Sequence, residues 1–372
     1  MKKRIAIWIH GGIGGGNFSQ GQPVIGKLVA GLAMNYEVIV YSQLLPNKEF
    51  IAQGFTIHSA SENTKLPWFR WLYLLLIFFN NHFKKPHQLI YSFWGYPAGL
   101  FAVALGRLFR KPSVIHLQGG DSVCMPEFRY GVFYGFMSRK LSFWSYTHSS
   151  LLIALTQFQK KNLESFGIKR RIEIIPYGPD LSMFNFHRNK FQNDRYRFIH
   201  IGNHNPLKDQ ATLLNAFRII SDNLKNCNLR IVGYDALNGE LKKFSVQLGI
   251  DDSVEFIDQA PYEEIPGYLY NADVILHTSL FEGQATVISE AAAAGVLLAG
   301  TRVGLLSDLG DRYGLIVNVG DAQTLAEKVL NALKDLNVVF AYIRNAREWV
   351  EEHDHQWTID RITSHIQKLT HK

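Results

Sequence analysis

The apolar run RIAIWI at residues 4–9 leads directly into the glycine-rich segment HGGIGGGNFSQG at residues 10–21. A short β-branched run that ends at glycines is typical of a buried parallel strand followed by a loop. Residues 23–34 (PVIGKLVAGLAM) then carry apolar residues at helical spacing, and residues 36–41 (YEVIVY) predict a second strand. This stretch therefore predicts one β-α-β unit, the building block of a doubly wound sheet.

Short apolar runs continue to alternate with helical patterns along the chain. They predict further strands at residues 88–91, 113–117, 151–155, 196–202, 228–232, 254–257, 274–277 and 296–299. Residues 176–193 are rich in Pro, Gly, Asn and charge, which is typical of an interdomain linker. The pattern predicts an α/β fold of two Rossmann-like, doubly wound domains, with a ligand in the crevice between them.

Length and composition agree with two domains. The chain has 372 residues, and a domain typically takes about 150. Hydrophobic residues make up 47% and charged residues 19%, which excludes a disordered or collagen-like chain. We expect a first domain over residues 1–180, a linker over 181–195, a second domain over 196–355 and a C-terminal helix over 356–372.

The sequence predicts neither a membrane-spanning helix nor a secretion signal. The longest unbroken apolar run has nine residues, 71–79, whereas a spanning helix needs about 20. The apolar stretch after the basic start is too short for a signal-peptide core. Cys124 and Cys227 have neither disulfide nor metal-site spacing, which favours a reducing cytoplasm.

Charge differs between the two halves. Residues 1–180 contain 20 Lys or Arg against 8 Asp or Glu, a net +12, and residues 181–372 contain 19 against 24, a net −5. A basic half attracts the phosphates of nucleic acid, anionic lipid or a phosphorylated substrate. The basic residues form no recognised nucleic-acid module, so we do not expect a nucleic-acid partner.

The glycine loop after the first strand is a candidate ligand loop. Gly14, Gly15 and Gly16 lie between a strand and a helix, where a backbone can approach a phosphate or substrate. The segment lacks a clean GxGxxG with a downstream ribose-binding acid. A dinucleotide site, a flexible turn and a substrate-facing loop remain open.

Lys208 is the candidate cation of the second half. It stands in FIHIGNHNPLKDQATLLNAF, residues 198–217, where a strand and a polar loop precede a helix. A lysine beside free helix N–H groups can neutralise a diphosphate leaving group. The alternative is a solvated lysine in a capped loop.

Two carboxylates accompany a predicted helix start in SLFEGQATVISEAAAAG, residues 279–295. Glu282 lies in the loop after a strand, and Glu290 follows eight residues later in an alanine-rich helix. The positive end of such a helix suits a diphosphate, and carboxylates suit sugar and ribose hydroxyls. An ordinary surface helix would explain Glu290 alone, but not its combination with Lys208.

These residues resemble the retaining family-4 glycosyltransferases of the GT-B architecture. The family hallmark is a Glu, seven residues and another Glu, matched by Glu282 and Glu290. The segments IIPYGPDLSMF at residues 174–184 and HLQGGD at residues 116–121 also resemble motifs of this family. The resemblance implies a GT-B fold with two Rossmann-like domains facing across a cleft, the first binding the acceptor and the second the nucleotide sugar. The C-terminal helix would cross back to the first domain.

The resemblance also implies roles for individual residues. Glu282 and Lys208 would be catalytic, with Glu282 contacting the donor sugar, Lys208 holding the diphosphate and Glu290 binding the ribose. The other implied donor-binding residues are Gly283, Gln284, Ala285, Thr286 and Asn203. The implied acceptor or phosphate loop residues are Gly14, Gly15, Gly16, Gln118 and Asp121.

Three positions depart from the family pattern. Asn203 stands where the family usually has an Arg, which removes a bidentate phosphate clamp. Gln118 stands where the family often has a His, and Gln cannot act as a base or carry charge. Tyr177 replaces the Asn of the family's linker.

The implied chemistry is retaining transfer of a hexose-type sugar from a nucleoside diphosphate in cell-surface polysaccharide assembly. No DxD pair occurs in the sequence, so we expect no metal or other cofactor, and Lys208 with the helix start would stabilise the leaving group. The departing phosphate would take the acceptor proton in a front-face reaction. The alternative is a catalytically silent nucleotide- or sugar-binding partner, and an epimerase or phosphorylase also stays open.

Residues 67–85, PWFRWLYLLLIFFNNHFKK, indicate a membrane contact. The run is apolar with cationic flanks, as a segment on a membrane surface is. We expect a cytoplasmic protein attached peripherally to the inner face of the cell membrane, with a glycan or lipid-linked acceptor. A buried helix is the alternative.

Overall fold

The computed structural model describes residues 2–14, 23–48, 50–60, 67–184, 191 and 195–371. The chain divides into two compact units. One contains Met1–Tyr177 and Gln356–Lys372, and the other contains Gly178–His355. The predicted linker over residues 181–195 is wrong in its first residues, because Leu181–Phe184 is a helix of the second unit and Phe184 is fully buried there.

In the part of the chain that the structure describes, the first unit is built on seven parallel strands. They are β1 (Arg4–Ile9), β2 (Glu37–Ser42), β3 (Phe55–Ser59), β4 (Leu89–Phe93), β5 (Ser113–His116), β6 (Leu151–Ala154) and β7 (Glu173–Ile174). The sheet order is β3-β2-β1-β4-β5-β6-β7. The order reverses between β1 and β4, as in a Rossmann fold.

Among the described residues, five helices connect these strands. They are α1 (Pro23–Asn35), α2 (Pro67–Lys84), α3 (Ala98–Leu108), α4 (Phe136–His148) and α5 (Gln157–Ser165). Strand β1 is buried from Ile5 to Ile9, as expected of a central parallel strand with both faces covered. Its Ile5, Ile7 and Ile9 share one core with the apolar face of α1.

Over its described residues, the second unit repeats this architecture with six parallel strands. They are β8 (Tyr196–Ile201), β9 (Cys227–Val232), β10 (Val254–Ile257), β11 (Val274–His277), β12 (Leu297–Thr301) and β13 (Leu315–Val317). Their order is β10-β9-β8-β11-β12-β13, so the switch point lies between β8 and β11. The helices are α6 (Leu181–Phe184), α7 (Gln210–Asn223), α8 (Glu240–Leu248), α9 (Ile265–Tyr270), α10 (Thr286–Ala293), α11 (Gly304–Leu309), α12 (Ala322–Ala332) and α13 (Leu336–Glu352).

The last helix, α14 (His355–Thr370), packs into the core of the first unit. Ile359, Ile362 and Ile366 recur at spacings of three and four residues, which places them on one helix face, and all three are buried in that core. Gly31 of α1 leaves the room that the Ile359 side chain fills. The fold of the first unit therefore uses both ends of the chain.

Helix α2 is only half covered. Trp71, Leu74 and Phe78 pack into a core cluster, but the other face is exposed at Trp68, Phe69, Leu72, Tyr73, Leu76 and Phe83. The alternative of a fully buried helix is therefore wrong. Across the part of the chain that the structure describes, no helix has both the length and the apolar character to cross a membrane.

Candidate functional site

Two loops meet at the switch point of the second sheet. One follows β8 and carries Lys208, and the other follows β11 and carries Glu282. Both leave the carboxyl ends of neighbouring strands, and ligands of open α/β sheets bind outside those ends at a switch point. The fold therefore brings two predicted site residues to the place where a ligand is expected.

Lys208 and Glu282 form an ion pair. The Lys208 Nζ lies 2.5 Å from Oε1 of Glu282, although 74 residues separate them in sequence. The Ser279 hydroxyl donates to the same oxygen at 2.8 Å. The two charged side chains are only 22% and 14% exposed, so solvent screens their attraction less than at an open surface.

His277 is a third partner of Glu282. The imidazole Nε2 lies 3.3 Å from Oε1 of Glu282 and 3.1 Å from the hydroxyl oxygen of Ser279. Sequence reasoning missed this residue, and its only signal was a histidine ending the otherwise apolar strand VILH. The structure thus gathers one acid, one cation, one imidazole and one hydroxyl.

The charge states of this group follow from burial and pairing. Burial alone would raise the pKa of the Glu282 carboxyl, but the Lys208 ammonium and the His277 N–H outweigh burial and hold that pKa well below its usual range. Burial lowers the pKa of His277 in spite of the Glu282 carboxylate. Near neutral pH, Glu282 is therefore a carboxylate and His277 a neutral ring.

Hydrogen bonds between the two loops fix the pair. The Thr278 hydroxyl lies 3.1 Å from the carbonyl oxygen of Lys208 and 2.9 Å from that of Asp209. The Leu280 N–H donates to the carbonyl oxygen of Leu207 at 2.8 Å. The separation of Lys208 from Glu282 is thus set by backbone contacts as well as by their charges.

Gly304, the first residue of α11, lies against the Glu282 loop. Its φ is +51°, and a Cβ there would lie 2.7 Å from the carbonyl oxygen of Gln284 and 2.8 Å from Cβ of Glu282. The next residue, Leu305, donates its N–H to that same carbonyl oxygen at 2.9 Å. Only glycine permits this close approach.

Helix α10 begins directly after this loop. Its N-cap is Ala285, which has φ +66° and no side-chain acceptor to cap the first turn. The first N–H groups of a helix lack intrahelical partners and favour an anion. The predicted donor residues Gly283, Gln284, Ala285 and Thr286 thus surround the start of an eight-residue helix that follows the ion pair.

Glu290 has a different environment from Glu282. It lies in the second turn of α10, is 5% exposed and accepts a 2.8 Å hydrogen bond from the Tyr262 hydroxyl. Burial and the Glu290 carboxylate raise the pKa of Tyr262, which therefore remains a donor. The two acids of the motif have distinct partners, and binding of the ribose by Glu290 stays a prediction.

Asn203 is uncharged, unlike the phosphate-clamping Arg that the family usually has at this position. Its backbone carbonyl accepts a 3.1 Å hydrogen bond from the Gln210 side chain, and its Oδ1 has no partner among the residues that the structure describes. The next residue, His204, has its Nδ1 3.5 Å from a carboxylate oxygen of Asp235. Burial lowers the pKa of His204 against the effect of that carboxylate.

The predicted residues of the first glycine loop are only partly described. Gly14 has φ +79° and lies so close to the Phe50 ring that a side chain would not fit. Gly15 and Gly16 lie outside the described residues. A ligand role for this loop remains a prediction.

The side chains of Gln118 and Asp121 both form hydrogen bonds within the first unit. The Gln118 amide donates to the Tyr177 hydroxyl oxygen at 2.7 Å, and Asp121 accepts the N–H groups of Gln118 at 2.7 Å and Gly95 at 2.9 Å. Burial raises the pKa of Asp121 to about 7, although those N–H groups act against the rise. These contacts cap the short 3-10 helix Gly119–Ser122, so both residues have a structural role whether or not they bind an acceptor.

Among the described residues, no cluster of three or more His, Cys, Asp or Glu side chains could hold a metal ion. The groups at the switch point offer one ammonium, uncapped helix N–H groups and a paired carboxylate. These are the groups that bind a phosphate beside a polyhydroxylated ligand.

Comparison with known proteins identifies the family of this chain. The profile described as "Glycosyl transferases group 1" matches residues 183–349, and the profile described as "Glycosyltransferase Family 4" matches residues 23–183. The amylovoran biosynthesis glycosyltransferase AmsK of Erwinia amylovora is 24% identical over 215 residues, which are 55% of this chain and 53% of that protein. This alignment thus spans about half of that relative.

Two solved structures share the fold over nearly the whole chain. Sucrose-phosphate synthase from Thermosynechococcus elongatus superposes with a TM-score of 0.81 at 18% identity, covering 99% of both chains. Anabaena HepE in complex with UDP gives 0.77 at 17% identity, covering 98% of this chain and 100% of that one. Together the two profiles cover residues 23–349 and leave the two ends of the sequence unmatched. The chain belongs to the family-4, group 1 glycosyltransferases and has the GT-B fold.

Proposed function

We propose that this chain is a retaining glycosyltransferase that moves a sugar from a nucleoside diphosphate sugar to a glycan or lipid-linked acceptor. The observation that carries the proposal is the Lys208–Glu282 pair at 2.5 Å, directly before the start of α10 and at the switch point of the second sheet. A cation and a helix N-terminus attract a diphosphate, and the acid beside them suits a sugar hydroxyl.

Lys208 and the first amides of α10 would hold the diphosphate in this reaction. Glu282 would contact the sugar, and Glu290 would bind the ribose from the second turn of the helix. HepE, which has this fold, is described in complex with UDP, and this supports a nucleotide donor here. Ligand screening would identify the nucleobase and the sugar of the donor.

Stabilisation of the leaving group would supply most of the catalysis. Breaking the bond between the sugar and the diphosphate leaves negative charge on the phosphate, and preorganised positive groups lower that barrier. Lys208 and the α10 dipole would do this without a metal. The departing phosphate oxygen would take the proton of the acceptor hydroxyl as the new glycosidic bond forms on the same face.

The proposed reaction has no covalent intermediate on Glu282. Its Oε1 is already within hydrogen-bond reach of Lys208, Ser279 and His277. These contacts make Oε1 a poor nucleophile, because attack from this oxygen would break them. Detection of a glycosylated Glu282 by mass spectrometry would contradict this part of the proposal.

The acceptor is proposed to belong to polysaccharide biosynthesis at the inner face of the cell membrane. The related protein AmsK of Erwinia amylovora is an amylovoran biosynthesis glycosyltransferase, which supports a glycan product. The exposed apolar face of α2, with Lys84 near its end, supports peripheral contact with an anionic surface.

A donor screen tests this proposal directly. Bound donor raises the melting temperature, because a ligand of the folded state stabilises it. We expect a shift with one of the UDP-, GDP- or ADP-sugars, a smaller shift for Glu290→Ala, and release of the nucleoside diphosphate when acceptor extract is added. A rise in melting temperature without release for any donor and acceptor would favour the silent partner, which the uncharged Asn203 also favours.

A further inference from the structure

The cation proposed to hold the diphosphate is paired with a carboxylate of its own chain. Lys208 pairs with Glu282 at 2.5 Å, and Lys208 is the only Lys or Arg in the loop residues 202–209 and 278–285. A diphosphate that binds Lys208 therefore competes with an internal anion. The displaced carboxylate would be left without its ammonium partner at a site where it is 14% exposed.

Uncompensated burial of a carboxylate is unfavourable. Within the described residues, Glu282 keeps two other partners if Lys208 turns away. The Ser279 hydroxyl lies 2.8 Å from Oε1, and the His277 Nε2 lies 3.3 Å from the same oxygen. Both come from the end of β11 and the first residues after it, so they do not move with the Lys208 side chain.

The position of the proton on His277 follows from these contacts. Its Nε2 faces two oxygens, and its Nδ1 has no partner among the described residues. A neutral imidazole has one donor and one acceptor nitrogen. The proton therefore belongs on Nε2, where it bonds toward Glu282 and Ser279, and the acceptor Nδ1 is the nitrogen left without a bond.

We propose that His277 is a positioning residue that retains Glu282 while Lys208 exchanges this carboxylate for the diphosphate of a bound nucleotide. The proposal rests on the proposed function, because the exchange requires a diphosphate ligand. The exchange breaks one ion pair and forms another, and no covalent bond changes. His277 is neutral, so it holds the carboxylate without adding a charge that competes with Lys208 for the phosphate.

Direct binding of UDP, GDP and ADP to the full chain tests this exchange. The sugar-free nucleotides avoid any contact between Glu282 and a donor sugar. Glu282→Gln removes the internal anion, so we expect the preferred nucleotide to bind about five-fold more tightly. His277→Leu removes a partner that matters more after Lys208 has left, so we expect binding about ten-fold weaker. Isothermal titration calorimetry measures both.

The double variant separates this role from a structural one. When residue 282 is Gln, no carboxylate needs to be retained, so adding His277→Leu to Glu282→Gln should leave affinity unchanged. His277→Gln can place an amide N–H near the position of Nε2 and should restore most of the affinity. His148→Leu, at an exposed histidine of α4, is the control and should change nothing.

Three outcomes would overturn the inference. His277→Leu could weaken binding equally in both backgrounds, which would mean that it acts only on the fold. Glu282→Gln could leave nucleotide affinity unchanged or reduce it, which would mean that Lys208 is not held back by Glu282. If the unaltered folded chain bound none of the three nucleotides, the proposed function would fall together with this inference. Suppose that the unaltered chain bound one nucleotide and transferred sugar, but that the effects of His277→Leu and Glu282→Gln on affinity were additive. In that case only the inference would be wrong.

Discussion

The side-chain amide of Gln118 donates a 2.7 Å hydrogen bond to the hydroxyl oxygen of Tyr177 inside the first unit. Both side chains are almost fully buried. These are two of the three positions at which the chain departs from the family pattern, and they contact each other across 59 residues of sequence. The Tyr177 ring also packs on His116, with ring centres 4.9 Å apart. The two departures are therefore coupled.

Removing the Tyr177 hydroxyl tests this coupling. We expect Tyr177→Phe to lower the free energy of unfolding by about 1 kcal/mol, because a buried hydrogen bond is lost without loss of the ring. In a Gln118→Leu background the same change should have a smaller effect. Urea unfolding of the four proteins measures the interaction, and equal effects in both backgrounds would show that the residues act independently.

Asp121 predicts a pH dependence of stability. Burial raises the pKa of its carboxyl to about 7, above the ordinary value near 3.8, so the folded chain binds more protons than the unfolded one between these values. The contribution of Asp121 to stability is therefore fully present below pH 4 and is lost as pH rises toward 7, by at most about 1.4 kcal/mol per pH unit.

Asp121→Asn is the matched variant for this slope. An amide oxygen can accept from the same N–H groups of Gln118 and Gly95, but the side chain does not titrate. The difference in unfolding free energy between the unaltered chain and the variant should change by a few kcal/mol between pH 4 and pH 7. A constant difference over that range would show that Asp121 titrates at its ordinary value.

Gly304 predicts a defect confined to the site. In Gly304→Ala, the new methyl group meets the Gln284 carbonyl oxygen and the Glu282 Cβ, so the loop must shift and disturb the pair with Lys208. We expect a loss of about 2 kcal/mol in stability and at least ten-fold weaker nucleotide binding, measured by calorimetry.

Gly310→Ala is the control for backbone strain. Gly310 also has a positive φ, +71°, but a Cβ there meets nothing within 4 Å. With ψ at −172°, Gly310 adopts a backbone conformation that is essentially restricted to glycine, so we expect a loss of about 1 to 3 kcal/mol in stability from the backbone alone, with nucleotide affinity unchanged. Equal affinities for the two alanine variants would contradict the role of Gly304 in supporting the Glu282 loop.

The exposed face of α2 predicts membrane binding. Leu72 and Leu76 are 46% and 62% exposed and lie one turn apart on this helix. Changing both to Glu should abolish co-sedimentation with phosphatidylglycerol vesicles at low salt, because it removes apolar contacts and adds repulsion. Nucleotide affinity should stay the same.

Met34→Glu provides the comparison for α2, since Met34 is 74% exposed on a different helix, α1. This variant should still bind the vesicles. If the unaltered chain failed to sediment with anionic vesicles at low salt, the proposed membrane contact would be wrong.

Most of the fold was predictable from short stretches of sequence. The strands Arg4–Ile9 and Val274–His277 have the predicted bounds, because central parallel strands are continuous apolar runs. The edge strand Val254–Ile257 also has its predicted bounds. The edge strand Phe55–Ser59 was missed, since polar residues interrupt it and most of it is only partly buried. The strands Glu173–Ile174 and Leu315–Val317 were also missed, because they are too short to show the hydrophobic periodicity of a strand.

Sequence alone also selected Lys208 and Glu282, because a lysine or an acid beside a helix start has a recognisable local pattern. Only the tertiary structure decided that these two charges neutralise each other, that His277 shares the same carboxylate oxygen, and that Gln118 meets Tyr177. Local patterns arise from backbone and side-chain preferences within a few residues. Contacts across 59 or 74 residues depend on which strands become neighbours, and strand order results from the packing of the whole unit.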